Sequence, residues 1–383
     1  MLKPSGSICN LDCDYCYFLS KEQMYPGSSF CMSDSLLESF TRQYIQSQKS
    51  PQITFAWQGG EPTLLGLEFY EKAIKYQKKY APPGVQIENA LQTNGTLLDD
   101  EWCNFFKENN FLIGISMDGP PEIHNIYRKD KGKKDSSDNV LNGLNLLKIF
   151  EVEYNILCTV HAGNAEKPLE TYRYFRDELG ANFIQYIPIV ERDNKTGFQI
   201  GNKITDRSIT GKQYGEFLIS VFDEWVKTDV GSIFVQIFDV ALGNWMGVPG
   251  GLCIFEETCG LGLALEHNGD LFSCDHYVEP KNKLGNIIKT DMIDLVRSHK
   301  QYQFAMNKRE TLPQYCLDCE VRFACHGGCP KNRIKHSPSG EFGLNYLCEG
   351  YKSFFTHIDK PMKKMAELLR EKKSPAEIMN FLN

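Results

Sequence analysis

No run of about 18 consecutive apolar residues occurs in the chain, so no segment reads as a membrane-spanning helix. The amino-terminal stretch MLKPSGSICNLD lacks the apolar core of a secretory signal, and the cytoplasm is the expected compartment. Excess positive charge is missing as well. With 42 Lys and Arg against 49 Asp and Glu, the formal net charge of -7 gives no general pull toward nucleic acid or an anionic membrane, and neither is expected as a partner. The one basic run, RKDKGKK from Arg128 to Lys134, reads as a solvated loop. Internal repeats and low-complexity segments are also absent, which excludes solenoids and linker arrays. What remains is the composition of an ordinary globular protein, 383 residues long and able to build one large or two modest cores.

Cysteine is what the chain has in quantity. In a reducing compartment its 14 cysteines read first as metal ligands or buried small residues, not as disulfides. Cys31, Cys103 and Cys158 lie apart from the rest, and Cys158, within the apolar run NILCTV, reads as a buried structural residue. The other eleven form two groups, Cys9 to Cys16 and Cys253 to Cys348. In the second group Cys316-x2-Cys319-x5-Cys325-x3-Cys329 is followed by Pro330, while Cys253, Cys259, Cys274 and Cys348 stand around it. Eight thiols make two tetrathiolate sites, which zinc and iron-sulfur clusters would both accept. The first group, CNLDCDYCYF, offers only Cys9, Cys13 and Cys16. Three thiols can hold three irons of a cubane and leave the fourth iron open to the amine and carboxylate of an amino acid. The competing reading is a zinc site completed by a distant histidine such as His124. Asn10 and Asp12 favour a turn-rich loop with amides free for cluster sulfurs.

The first half alternates strand-like and helix-like runs: ITFAW at 53 to 57, a helix from Leu67 to Tyr80, VQIENALQ at 85 to 92, a helix from Asp99 to Asn109, and FLIGIS at 111 to 116. YNILCTV at 154 to 160 and NFIQYIPI at 182 to 189 continue the series, with helices near 138 to 150 and 166 to 178. Such alternation implies a mostly parallel sheet covered by helices. The strand ends carry Gln58-Gly-Gly-Glu-Pro62, Thr93-Asn-Gly95 and Ser116-Met-Asp-Gly-Pro120, one wall of a candidate site. An amphipathic helix is expected near Tyr214 to Lys227, a hairpin around Asn268-Gly269, and a packing helix from Tyr351 to Lys373.

CNLDCDYC resembles the CxxxCxxC loop of radical S-adenosylmethionine enzymes, and Gln58-Gly-Gly-Glu-Pro62 resembles their glycine-rich motif. Cys259-x9-Gly269-x4-Cys274, the Cys316 to Cys329 string and Cys348 resemble the auxiliary-cluster extension called SPASM. Within that class the pattern is similar to the anaerobic sulfatase-maturating enzymes, in which LQTNGT (91 to 96), GISMDGP (114 to 120) and the pair Cys274-Asp275 recur. The resemblance implies an α/β fold, a partial (β/α)6 barrel with linker over residues 1–230, a SPASM domain over 231–350 and a helical segment over 351–383. It implies S-adenosylmethionine and three [4Fe-4S] clusters as cofactors. Cys9, Cys13 and Cys16 would hold the cofactor-binding cluster; Cys253, Cys259, Cys274 and Cys329 the first auxiliary cluster; Cys316, Cys319, Cys325 and Cys348 the second. Gly59, Gly60 and Glu61 would receive the cofactor's amino group, Tyr15 would join the cofactor's contacts, and Ser116, Asp118 and Arg128 would hold ribose and carboxylate.

The implied chemistry is oxidation of a Cys or Ser in an unfolded sulfatase segment to Cα-formylglycine, with electrons from a donor such as flavodoxin or ferredoxin. Hydrogen abstraction leaves a radical on the β carbon, which must then lose an electron, with the first auxiliary cluster the candidate acceptor, while the heteroatom loses its proton. Asp275 is the expected general base, His276 a weaker alternative, and Gln58, Tyr17 and Phe18 the substrate contacts. The maturases carry a tyrosine two positions after the last loop cysteine; here that position is Phe18 and the tyrosine is Tyr17, which implies a shifted substrate pose or a different peptide target. An alternative keeps the fold and modifies a ribosomally made peptide through a thioether or other radical-derived bond, although only eight residues precede Cys9, too few for a leader-recognition domain. A non-enzymatic alternative is a zinc-binding scaffold.

Overall fold

The computed structural model describes residues 1–248, 251–260 and 262–382. Pro249, Gly250, Leu261 and Asn383, which fall in the expected SPASM and C-terminal spans, lie outside the described residues. A two-residue strand, Leu2–Lys3 (β1), is followed by six strand–helix units. Their strands are Gln52–Trp57 (β2), Gln86–Thr93 (β3), Phe111–Ser116 (β4), Tyr154–Val160 (β5), Phe183–Pro188 (β6) and Phe234–Val235 (β7). The helices that return the chain are Leu67–Tyr80, Asp100–Glu108, Ser137–Ile149, Pro168–Arg173, Gly211–Thr228 and Gln236–Trp245. Every neighbouring pair from β1 to β7 is parallel. The apolar runs become the core because both sheet faces are covered: Phe55, Ile113, Ile115, Ile156 and Val160 are fully buried.

The sheet does not close on itself. Its order is β10-β9-β8-β1-β2-β3-β4-β5-β6-β7, where Ala264–Glu266 (β8), Asp270–Phe272 (β9) and Lys283–Asn286 (β10) form an antiparallel meander. The partial barrel and the cysteine-rich extension therefore share one ten-stranded sheet. The seam is β1, whose Leu2 registers with Trp57 on one side and Leu265 on the other. The turn between β8 and β9 falls at Asn268-Gly269, with Gly269 at φ +89°, a conformation open to glycine. Two further strands, Arg333–His336 (β11) and Phe342–Asn345 (β12), make a separate hairpin beside the cysteines.

The helix Gly211–Thr228 begins in a capping box between Thr210 and Gln213, three residues ahead of the start expected from its apolar period. It meets Cys348–His357 most closely at glycine, with Tyr214–Tyr351 and Phe222–Phe354 ring contacts alongside: a Cβ on Gly350 would stand 2.0 Å from the Gly211 carbonyl oxygen and 2.8 Å from the Gly215 nitrogen. This approach fixes the helix that carries Cys348 to the barrel's outer layer. The basic run Arg128 to Lys134 divides in two. Lys131 to Lys134 are exposed as expected, but Arg128 is buried, because its guanidinium pairs with Asp118. Gly350→Ala should cost about 1–3 kcal/mol by overpacking and lower the apparent melting temperature. Gly243→Ala, whose Cβ would meet only the Val248 carbonyl oxygen at 3.5 Å, should leave it nearly unchanged.

Candidate active site

The cysteine loop is held by backbone. A Cβ on Gly60 would lie 2.0 Å from the Ile8 carbonyl oxygen, and in its absence Gly60 N–H donates to Gly6 O at 2.8 Å and Glu61 N–H to Ile8 O at 2.8 Å. The glycines after β2 thus let the stem of the loop lie directly on the strand end. Glu61 is buried, with Oε1 accepting from the Thr63 amide and the Thr63 and Thr93 hydroxyls and Oε2 from the Asn94 amide. Its side chain therefore braces the ends of β2 and β3 together, and only the backbone of this stretch is left to meet a ligand.

Cys9, Cys13 and Cys16 lie close enough that the Cys16 thiolate would raise the pKa of Cys9 and Cys13, and the Cys9 thiolate that of Cys13. Burial is the larger cause and pushes Cys9 up to about 11 and Cys13 up to about 12. Such thiols give up their protons to a metal and not to water. The Leu11 amide donates to Cys9 Sγ at 3.3 Å, and Asn94 Nδ2 approaches the same sulfur at 3.7 Å. Asn10 is held in turn by Asn94 and Thr96, so the end of β3 orients the loop.

Behind the loop lies a buried network that revises two expectations. Asp118 has no exposed surface, and both of its oxygens are occupied: Oδ2 accepts from the Tyr15 hydroxyl (2.5 Å) and Arg128 Nε (2.9 Å), Oδ1 from Arg128 Nη2 (3.1 Å) and the Thr159 amide (2.9 Å). Burial favours the neutral acid, but Arg128 and the His161 contact outweigh it and hold the carboxyl below its ordinary range. Asp118 thus supports the wall from behind instead of offering oxygens to a ribose. Arg128 keeps one nitrogen, Nη1, outside these bonds. Ser116, at the end of β4, accepts from Gln92 and stays half-buried. His124 is buried against Ser136 and the Asp118 amide, far from the role of a zinc ligand.

The expected substrate side, around Gln58, Tyr17 and Asp275, is organised by a residue that no sequence pattern singles out. Lys3 is 1% exposed; its Nζ donates to Gln58 Oε1 at 2.8 Å, pairs with Asp275 Oδ1 at 2.5 Å and lies 4.4 Å from the centroid of the Phe18 ring. The Tyr17 hydroxyl donates to Asp275 Oδ2 at 2.8 Å. Burial pushes the Asp275 carboxyl upward, yet Lys3, His276 and Tyr17 together hold it well below the usual carboxylate range. His276 is driven down to about 3, chiefly by burial, and packs its ring against Tyr17 at 5.3 Å. Phe18 is 3% exposed and packs with Ala264, Phe272 and Val278, so it anchors the loop to the meander and does not line a substrate cleft. The shifted Tyr17-Phe18 pair therefore still delivers a tyrosine hydroxyl to the predicted base. Only the strand register of β1 brings Lys3 here, which is why sequence alone passed it over.

The eight later thiols separate into two neighbourhoods. The charge of Cys329 acts on Cys253, Cys259 and Cys274, whereas Cys348 acts on Cys325, and Cys316 and Cys319 act on Cys348. A cavity beside the β11–β12 hairpin is lined by Cys316, Cys319, Cys325 and Cys348 together. Among the described residues no three Cys, His, Asp or Glu side chains converge on a single ion. Cys103 and Cys158 are buried in the barrel, away from both sets.

A three-thiol loop at the mouth of a partial parallel barrel, with two thiol tetrads on an extension of the same sheet, defines a radical S-adenosylmethionine enzyme with auxiliary iron-sulfur clusters. The Radical SAM superfamily model matches residues 4–175, and the model of an iron-sulfur cluster-binding domain, SPASM, matches residues 257–320. The chain is 46% identical to a serine-type anaerobic sulfatase-maturating enzyme of Bacteroides thetaiotaomicron, across 100% of this chain and 94% of that protein. It is 35% identical to a cysteine-type enzyme of Clostridium perfringens, over 93% and 95% of the two chains. The solved structure of native anSMEcpe with bound AdoMet superposes with a TM-score of 0.87 at 34% identity, covering 96% of this chain and 98% of that one. The same protein with a bound Cp18Cys peptide gives 0.86. The chain belongs to the anaerobic sulfatase-maturating enzyme family. Its cofactors are S-adenosylmethionine and [4Fe-4S] clusters, which sets the zinc-scaffold reading aside.

Removing Lys3 leaves a buried carboxylate unpaired, so Lys3→Met should destabilise the reconstituted protein by about 3–5 kcal/mol. The double variant Lys3→Met/Asp275→Asn should recover part of that loss in thermal unfolding, which would measure the coupling directly.

Proposed function

We propose that the protein oxidises a Cys or Ser side chain in an extended sulfatase segment to Cα-formylglycine, with Asp275 as the general base. The observation that carries this reading is the buried chain Gln58–Lys3–Asp275–Tyr17, which aims an ionised carboxylate at the site beside the cysteine loop. When bound, the N-terminal cluster and S-adenosylmethionine supply the deoxyadenosyl radical that removes a β hydrogen, and the auxiliary clusters supply an acceptor for the second electron.

The protein's own residues do the rest. Conversion of the β carbon to an aldehyde, or to its thio form before hydrolysis, requires loss of the heteroatom's proton along with that second electron. Asp275 takes the proton. Its low pKa makes it a weak base toward an ordinary hydroxyl, but a hydroxyl or thiol next to a radical carbon losing an electron is far more acidic, so a weak base kept ionised suffices. Lys3 holds one oxygen of the carboxylate and Tyr17 the other, each leaving a lone pair free for the substrate. Gln58 places its amide on the same wall, where its NH2 can meet a peptide carbonyl while Lys3 holds its oxygen. The cofactor's contacts fall to the backbone of Gly59 and Gly60, to Tyr15 and Ser116, and to the free edge of Arg128.

Three thiols for the cofactor-binding cluster and eight for two auxiliary clusters complete the ligand assignment, three [4Fe-4S] clusters in all. The electron donor in this reading is a redox protein such as flavodoxin or ferredoxin. No described helix is long and apolar enough to cross a membrane, and a chain with this many free cysteines suits the reducing cytoplasm.

The reduced, reconstituted enzyme is given S-adenosylmethionine and Cys- or Ser-containing sulfatase peptides and followed by mass spectrometry. Deoxyadenosine and the aldehyde mass should appear together, and deoxyadenosine without any peptide change would reject these substrates. Asp275→Asn should retain deoxyadenosine formation while lowering formylglycine by about 10²–10⁴-fold. Tyr17→Phe should cost less, because Lys3 still holds the carboxylate.

A further inference from the structure

Charge is buried very differently around the two auxiliary thiol sets. Lys308 has no exposed surface, and its ammonium donates only to main-chain oxygens, Cys253 O at 2.6 Å and Ile254 O at 3.0 Å. Arg333, 7% exposed, does the same with its whole guanidinium: Nη1 to Lys308 O (2.5 Å), Nε to Gly327 O (3.2 Å), and Nη2 to His326 O (3.1 Å) and Gly328 O (3.4 Å). The loop that wraps it, His326-Gly327-Gly328, has three successive positive φ angles, +47°, +72° and +61°, and connects Cys325 of the second set to Cys329 of the first. Arg192 is a third buried cation near Cys329, with Nε and Nη1 lacking any partner.

Among the described residues no carboxylate pairs with Lys308, Arg333 or Arg192. A buried charge without a counterion is costly, so these cations call for an anion in their midst. The groups that face Lys308 are the thiols Cys259, Cys329 and Cys253 of the first set; Arg333 faces Cys316 of the second set first, then Cys329 and Cys259 of the first, and Cys325 of the second. The carboxylates near the first set are Asp275, already matched by Lys3, and the partly exposed Glu256. The second set has, besides Arg333, the half-buried Lys352, the exposed Lys335 and the exposed Glu341, all of which water screens.

We propose that Lys308 is a redox-positioning cation that places the first auxiliary cluster above the second in reduction potential, with Arg333 shared between the two. Reduction adds one negative charge to a cluster that is already an anion, and a buried cation stabilises the reduced form more than the oxidised one. Lys308 acts on the first set alone, whereas Arg333 lies between the two sets, so the difference is set by Lys308. The proposal rests on the ligand assignment made above, but it needs neither substrate nor turnover to be tested.

The full-length Cys9→Ala/Cys13→Ala/Cys16→Ala variant, reconstituted with iron and sulfide, leaves only the auxiliary clusters for an EPR-monitored redox titration. Two couples are expected. Adding Lys308→Met, or Lys308→Gln, which keeps a donor for the Cys253 carbonyl, should lower the higher couple and leave the other in place. The expected shift is at least a tenfold change in the reduction equilibrium, about 59 mV for one electron. If the lower couple moves, or neither moves in a variant that retains iron, the proposal is overturned. If the parent variant binds no iron, the ligand assignment itself fails, which is a separate result.

Discussion

The site depends on the pairing of a two-residue strand. Leu2–Lys3 lies parallel to both the first barrel strand and the first strand of the meander, so two structural units become one continuous sheet. Residues at equivalent heights on neighbouring strands are then side by side. Gln58 follows the barrel strand, Asp275 lies in the connection between β9 and β10 of the meander, and Lys3 stands between them with its ammonium bonded to both. The same seam places the stem of the cysteine loop over Gly60, where two backbones meet with no room for a side chain. Sheet register thereby brings the cofactor's loop and the expected proton acceptor to one opening.

Burial of charge gives the two halves different characters. Around the opening three buried carboxylates each have a partner or a full set of donors: Asp118 with Arg128, Glu61 with four donors from the strand ends, Asp275 with Lys3. Such groups are fixed in place and make a rigid wall, the condition for holding a reactive cofactor near a target carbon. On the extension side Lys308 and Arg333 have only carbonyl dipoles. Their balance comes from thiolates and whatever those thiolates bind, so metal loading and folding are coupled there.

Much of the fold was legible because the barrel's strands are short apolar runs with turn residues at both ends. Phe111–Ser116 and Tyr154–Val160 fall where the sequence puts them, as does the helix Leu67–Tyr80. The strand Phe234–Val235 was not legible, since two residues carry no period, and the helix Asp34–Ser47 lies in a polar stretch whose apolar face shows only once its partners are known. Asp118 and Phe18 are instructive in another way. Each sits within a motif expected to meet ligand, yet each turns inward, Asp118 to Arg128 and Phe18 to the meander's own small core. Membership of a motif locates a backbone segment; it does not say which way a side chain points.

By itself the sequence determined the chemistry available. Cysteine spacing within a loop is a local property, and so are the strand–helix period and the glycines after the first barrel strand; each can be read from neighbours in the chain. Only the tertiary structure decided which distant groups meet: Lys3 with Asp275, Tyr17 with the same carboxylate, and Lys308 and Arg333 with thiols many residues away. The physical reason is that pairing of charges acts through space at a few ångströms, and strand register, which no single segment carries, sets those distances.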